Sequence, residues 1–197
     1  MKLTRTLFLT AVVFMAGAVI PAIVYANPND PQCDLILSGH SPAPARLCAG
    51  YIDIQSASVS KLDDGSYVFS MTFYGTIPDV PLNPANGKPV VILRYVWRLY
   101  DQDGNLVARV RLSWNSLDAT WFARYGEPGP PWTLVDFLIG PTMVTVNVVG
   151  LSSLAYYWDA VAWIDNKPGL WFDASDSAMA LGCPVFLWDG YEGGTLP

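Results

Sequence analysis

Three oxygen-bearing side chains alternate in Asp101-x-Asp103-x-Asn105. Calcium, a hard cation with oxygen ligands, is the metal such a donor set would suit. An EF-hand loop needs glycine at its sixth position and glutamate at its twelfth. Here Gly104 is fourth and Leu112 twelfth, so a calcium site built on Asp101, Asp103 and Asn105 would need further carboxylates from another loop, either Asp63 and Asp64 or Asp165 and Asp173. The competing expectation is a hairpin turn whose Asp and Asn side chains satisfy backbone groups.

Aromatic residues carry the second signal. Several of the eight tryptophans stand beside or near an aspartate, in Trp158-Asp159, Trp163-Ile164-Asp165, Trp171-Phe172-Asp173 and Trp188-Asp189. A flat ring next to a hydrogen-bonding carboxylate suits a sugar, which offers C–H groups on one side and hydroxyls at its rim. Trp97 and Trp114 fall on apolar strand faces. Trp121, Trp132 and Trp171, expected at strand ends or in loops, are with Asp173 the candidates for ligand contact. A third signal is arginine: Arg94, Arg98, Arg109 and Arg111 are expected on one face of an otherwise acidic chain. Such a stripe is either a solvated face with aspartates among it or a docking surface for an acidic partner or glycan, with Arg98 and Arg109 at its centre.

Catalytic constellations are sparse. The single histidine, His40, lies in Gly39-His40-Ser41, which is no nucleophile elbow. No glycine-rich phosphate loop occurs, and only the proximity of Asp159, Asp165 and Asp173 hints at a glycosidase carboxylate pair. The net charge is −6. Such a chain repels phosphate backbones, so nucleic acid is not an expected partner.

Lys2 and Arg5 precede an apolar stretch from Leu7 to Ile20, Pro21, and a small-residue close at Val24-Tyr25-Ala26. This is the pattern of a secretory signal peptide over residues 1–26; an uncleaved anchor is the rival reading. No later stretch has the length of a membrane span. Cleavage would leave 171 residues, enough for one sizeable core, with nine basic side chains against seventeen acidic and a net charge of −8. The expected location is therefore extracellular or periplasmic. In that oxidising setting two of Cys33, Cys48 and Cys183 should pair, either Cys33–Cys48 or Cys48–Cys183.

The elements that would position these residues read as strands. Fifteen Asp against two Glu already favours turns over helices. Residues 27–49 form a Pro-rich extended lead, 50–176 a sandwich domain, and 177–197 an irregular tail. A strand from Tyr51 to about Leu62 turns at Asp63-Asp64-Gly65, and the next puts Tyr67, Phe69, Met71 and Phe73 on one face. Val90–Tyr100 and Leu106–Trp114 flank Asp101–Asn105 as a hairpin. A two-residue Asp103-Gly104 turn would set Leu99 opposite Ala108, Trp97 opposite Val110 and Tyr95 opposite Leu112, leaving Arg98 opposite Arg109 and Val96 opposite Arg111. Further strands are expected over 132–139, 143–149, 156–165 and 170–172, with one helical turn at 151–154. Strands of this number and spacing predict an all-β fold, a single antiparallel β-sandwich of immunoglobulin-like or jelly-roll-like form, with a β-barrel as the alternative.

The order Asp53-Ile54-x-x-Ala57, Tyr67-x-Phe69-x-Met71, then Tyr95-Val96-Trp97 running into Asp101-x-Asp103 resembles secreted β-sandwich domains of the carbohydrate-binding family 9 and DOMON type, over the middle third of the chain. That resemblance implies an exported sandwich binding a sugar, haem or calcium. The strand region offers Met71, Met143 and Met179 but no histidine for a Met–His haem pair. The sequence thus leads to a non-catalytic extracellular module that binds a polysaccharide or cell-surface glycan and is steadied by calcium. The alternative is a self-associating envelope or filament subunit whose lead, 27–49, adds a strand to a neighbour.

Overall fold

Alternating apolar residues govern the architecture. The computed structural model describes residues 32, 36–37, 41–42, 48–84, 87–129, 131–165 and 187–197. Among the described residues twelve strands run in chain order: β1 (Ile36–Leu37), β2 (Ser41–Pro42), β3 (Ile54–Lys61), β4 (Tyr67–Phe73), β5 (Ile92–Tyr100), β6 (Leu106–Asn115), β7 (Thr120–Gly126), β8 (Thr133–Leu134), β9 (Asp136–Ile139), β10 (Met143–Val148), β11 (Tyr157–Asp165) and β12 (Leu187–Tyr191). They form two antiparallel sheets, a larger one in the order β2-β1-β12-β11-β5-β6-β7-β8 and a smaller one in the order β3-β4-β10-β9. Both sheets have free ends, so the fold is a sandwich and the barrel alternative is corrected. The described residues include no helix, and Leu151–Leu154 is a plain turn. No described helix is long and apolar enough to cross a membrane.

Between the sheets lies a single apolar core. Phe69, Met71 and Phe73 of β4, with Val144, Val146 and Val148 of β10, face Leu93, Tyr95, Trp97 and Leu99 of β5. Phe69 meets Trp97 edge-on at 5.9 Å between ring centroids, and Phe73 lies 4.5 Å from Tyr95. Alanines stand opposite the large residues: Ala160 faces Trp97, Ala162 faces Tyr95, Ala108 faces Leu99 and Ala123 faces Leu112. Large beside small is how a core reaches crystal-like density without voids.

The β5–β6 hairpin has the predicted register: Leu99–Ala108, Trp97–Val110, Tyr95–Leu112, Arg98–Arg109 and Val96–Arg111 are all paired. Its turn is longer than the two residues expected. Asp101 N–H donates to the Asn105 carbonyl at 2.9 Å, and Gly104 sits at φ 82°. A bulge past Leu99 moves the next pair to Tyr100–Leu106, so Val107 is the extra residue that reconciles this turn with the apolar register.

Three elements depart from the sequence reading. The lead contributes β1, which pairs with β12, and β2, which pairs with β1, so these residues are already hydrogen-bonded within the chain rather than extended beside it. The tail supplies β12, where Asp189 accepts from Ile54 N–H at 2.5 Å and ties the large sheet to the edge of the small one. β7, unassigned by the sequence, pairs with β6 across a turn in which Ala119 takes φ 48°. An L-residue there is strained by about 1–2 kcal/mol, so Ala119→Gly is expected to stabilise the protein by up to about 1 kcal/mol despite glycine's entropy, seen as a higher melting temperature.

Cys48 is disulfide-bonded. Cys33 and Cys183 lie outside the described residues, as do Trp171, Asp173 and the expected signal segment, 1–26.

Candidate functional site

On the outward face of the large sheet, the strand register assembles what the sequence scatters. Tyr157 of β11 pairs with Tyr100 of β5, Asp159 pairs with Arg98, Arg98 pairs with Arg109 of β6, and Arg109 pairs with Gly126 of β7. Side chains two apart share a face, so Tyr157, Tyr100, Asp159, Arg98 and Arg109 form one patch near the sheet's end. Thr195 of the tail bridges to Tyr157 on its other side.

Asp159 is the hub. Arg98 donates to it in a fork, Nε to Oδ1 at 2.7 Å and Nη2 to Oδ2 at 2.6 Å. The Tyr100 hydroxyl adds a third bond to Oδ2 at 3.1 Å. Both Arg98 and Asp159 side chains remain 26% exposed. Two parallel charge-assisted bonds fix the guanidinium plane as well as its position. Beside them the Tyr157 ring is 42% exposed and braced edge-to-face by Tyr156, with centroids 4.7 Å apart. The patch therefore offers an open ring face bordered by oriented donors and acceptors.

Burial pushes the Tyr100 phenol up to about 12, and the adjacent Asp159 charge adds to the shift. A raised folded-state value means the neutral phenol contributes stability that is fully present below the ordinary tyrosine value near 10. That contribution is lost as pH rises through about 12. Spectroscopic titration is accordingly expected to show one phenolate forming near 12, and at lower pH in Asp159→Asn. Titration of Tyr100 at its ordinary value in the parent would refute this geometry.

The arginine stripe is solvated in part: Arg98 is partly exposed and takes its aspartate from the neighbouring strand, as a solvated face would, whereas Arg94 and Arg111 are buried. Arg94 lies over Trp163 at 5.5 Å and Arg111 over Trp132 at 4.6 Å, both measured to the ring centroid. Between them the outward residues Val96 and Ser113 are each only 1% exposed. Arg98 and Arg109 do fall in the patch, at its middle.

The other expected ligand residues are distributed elsewhere. Trp121 stands at the start of β7, a strand end as expected, but on the inward side opposite Trp114, where it is half-buried and stacks on Tyr95 at 5.8 Å. Trp132 is half-buried against Arg111 rather than presented beside a carboxylate. Asp101 spends its carboxylate on the hairpin turn. Its Oδ1 accepts from Asp103 N–H at 2.9 Å and Asn105 N–H at 2.8 Å, and its Oδ2 from Asn105 Nδ2 at 3.0 Å. Hydrogen bonds from the Asn105 side chain and backbone hold the Asp101 carboxyl below the usual range. Among the described residues no group of three or more His, Cys, Asp or Glu side chains is arranged to hold a metal ion.

Asp159 and Asp165 lie six residues apart on one strand. At ~3.3 Å per residue that is roughly 20 Å, well beyond the roughly 5–9.5 Å of a glycosidase pair. Asp173, the third of the expected carboxylates, lies outside the described residues, and Asp159 anchors Arg98 and Tyr100. Tyr100, Tyr156 and Tyr157 are not among the residues expected from the sequence. The in-phase spacing of Arg98 with Tyr100, and of Tyr157 with Asp159, was the available signal. Comparison with family models, with curated proteins and with solved structures found no match.

Proposed function

We propose that the chain is an exported, non-catalytic binding module and that its ligand is a glycan, received on the Tyr157–Tyr100–Asp159–Arg98 patch. One observation carries the reading: an open tyrosine ring lies in register with a carboxylate clamped by a guanidinium and a phenol. A pyranose ring stacks its C–H face on such an aromatic surface, while its hydroxyls exchange hydrogen bonds with the oriented Arg and Asp atoms at the rim. Because Asp159 and Arg98 hold each other in place before any ligand arrives, little ordering entropy opposes binding. The resemblance of residues 53–103 to carbohydrate-binding sandwiches points the same way. Export is supported by the basic-apolar-small order of residues 1–26 and by the disulfide at Cys48.

The test is retention of the purified protein on a panel of insoluble and gel-embedded polysaccharides, first with calcium and then with chelator. Retention on one polymer class that survives chelation is expected, since the patch needs no metal. Loss of retention with chelator would move the site to the Asp101–Asn105 turn, and no retention on any polymer would contradict the glycan reading.

A further inference from the structure

We propose that the open edge of β9 is a dimer interface. A second copy of this chain adds its own β9 there, antiparallel, and joins the two small sheets into one. β9 ends the small sheet, with β10 as its strand partner among the described residues. Gly140 N–H donates to the Met143 carbonyl at 2.7 Å, so the hydrogen-bonded pairs with β10 are Leu138–Thr145 and Asp136–Asn147. The N–H and C=O groups of Phe137 and Ile139 therefore point away from β10. Val135 N–H, in the same phase, points the same way and donates to the Ala123 carbonyl of β7 at 3.2 Å. Past that bond β7 and β9 part into different sheets, and among the described residues no backbone group takes up Phe137 and Ile139.

That edge also lacks the usual protection. Natural sheets blunt their edges with very short strands, proline, lysine, bulges or a covering segment. The other described sheet ends carry such devices. β2 and β8 have two residues each, and β2 includes Pro42. β3 has a register shift after Ile54 and ends on Lys61, and Asp189 already accepts the Ile54 N–H. β9 reads Asp-Phe-Leu-Ile and has none of these. Leu134, Phe137, Leu138 and Met143 are exposed beside it, Leu138 by 66%. An open apolar edge is a template for another strand.

Symmetry selects a second copy as that strand. The outward residues Phe137 and Ile139 flank Leu138, so the edge meets an inverted copy of itself without offset. Phe137 pairs with Ile139 of the partner subunit, and Ile139 with the partner's Phe137, each pair exchanging both N–H···O bonds. Leu138 then faces the partner's Leu138 at the close spacing of a non-bonded pair, about 4.5 Å between Cα atoms. Asp136 falls opposite the partner's Gly140, and the two Asp136 residues stand roughly 14 Å apart, more than a Debye length at physiological salt. Such an isologous pairing closes at a dimer and does not run on into a filament. Its axis stands perpendicular to the sheet, so both large sheets lie on one side and their outward faces point the same way. One consequence rests on the glycan reading: the dimer presents two tyrosine patches to one polymer, which raises avidity without any new contact.

Sedimentation velocity of the purified protein, diluted from millimolar to micromolar, tests the interface without reference to any ligand. The parent is expected to form a dimer that dissociates on dilution, because so short an edge gives an interface at the small end of the range. High salt should preserve that dimer, since it screens the repulsion between two copies of charge −6. Leu138→Lys and Leu138→Glu, each checked for an unchanged melting temperature, should weaken it at least about tenfold, because both copies lose an apolar contact and gain facing like charges. Mixing the two variants should restore the dimer, since lysine then faces glutamate. A parent that stays monomeric at millimolar concentration would overturn the proposal, as would parental dimerisation by Leu138→Lys. Dissociation of both variants with no recovery in the mixture would overturn the axis through Leu138.

Discussion

Replacing Asp159 with alanine is expected to weaken glycan retention at least about tenfold and to cost about 1–3 kcal/mol of stability. Three donors lose their acceptor at once: Arg98 Nε, Arg98 Nη2 and the Tyr100 hydroxyl. Arg98 would also face Arg109 with its own carboxylate gone, adding like-charge repulsion to lost hydrogen bonds. Partial exposure moderates the stability loss, because water reaches the guanidinium. Binding suffers more, since both the acceptor and the orientation of Arg98 go together. Asp159→Asn keeps the shape and one acceptor and should fall between parent and alanine. Thermal melts and polymer retention, measured on both variants, check this; an Asp159→Ala protein with parental retention would remove Asp159 from the site.

The largest stability effect is expected at Trp97, where alanine should cost about 3–5 kcal/mol. That is a large part of the total of roughly 5–15 kcal/mol that holds a domain folded. Trp97 is 0% exposed and packs against the edge of Phe69. Its strand neighbours are Ala160 and Val110, residues too small to reach into the space an indole leaves. A hole that cannot collapse keeps its full cost. Trp97→Phe is expected to lose far less, because among the described residues the indole N–H has no hydrogen-bond partner and so leaves no orphaned acceptor behind. Denaturant unfolding of the two variants decides the matter, and equal losses would show that the indole is not filling the core as described.

What the sequence disclosed followed from local alternation. The β5–β6 register was readable because a one-residue slip would have carried Tyr95, Trp97 and Leu99 to the wrong face. The same logic gave the inward face of β4. What stayed hidden depended on residues that break the usual turn chemistry or on pairings set far apart in the chain. β7 was invisible because its turn, Ser116 to Ala119, contains neither glycine nor proline, and Ala119 occupies a conformation that glycine would ordinarily take. β12 was hidden in a short glycine-flanked stretch whose Asp189 is buried to hold the edge of β3. The binding patch needed β11 beside β5, and no turn fixes that pairing. Arg98 with Tyr100, and Tyr157 with Asp159, were each visibly in phase, but their meeting was a property of the sheet. Trp121 lies at a strand end as expected, but its facing could not be read without β7, which turns it to the core side.

The most direct test of the tyrosine patch is to compare parent and Tyr157→Ala on whichever polysaccharide retains the parent. Tyr157 is 42% exposed, so its truncation should leave the melting temperature nearly unchanged. The account predicts that retention falls by about tenfold or more, since an aromatic stacking platform contributes on the order of 1–3 kcal/mol. Undiminished retention by a normally folded Tyr157→Ala protein would contradict it and place the ligand elsewhere on the molecule.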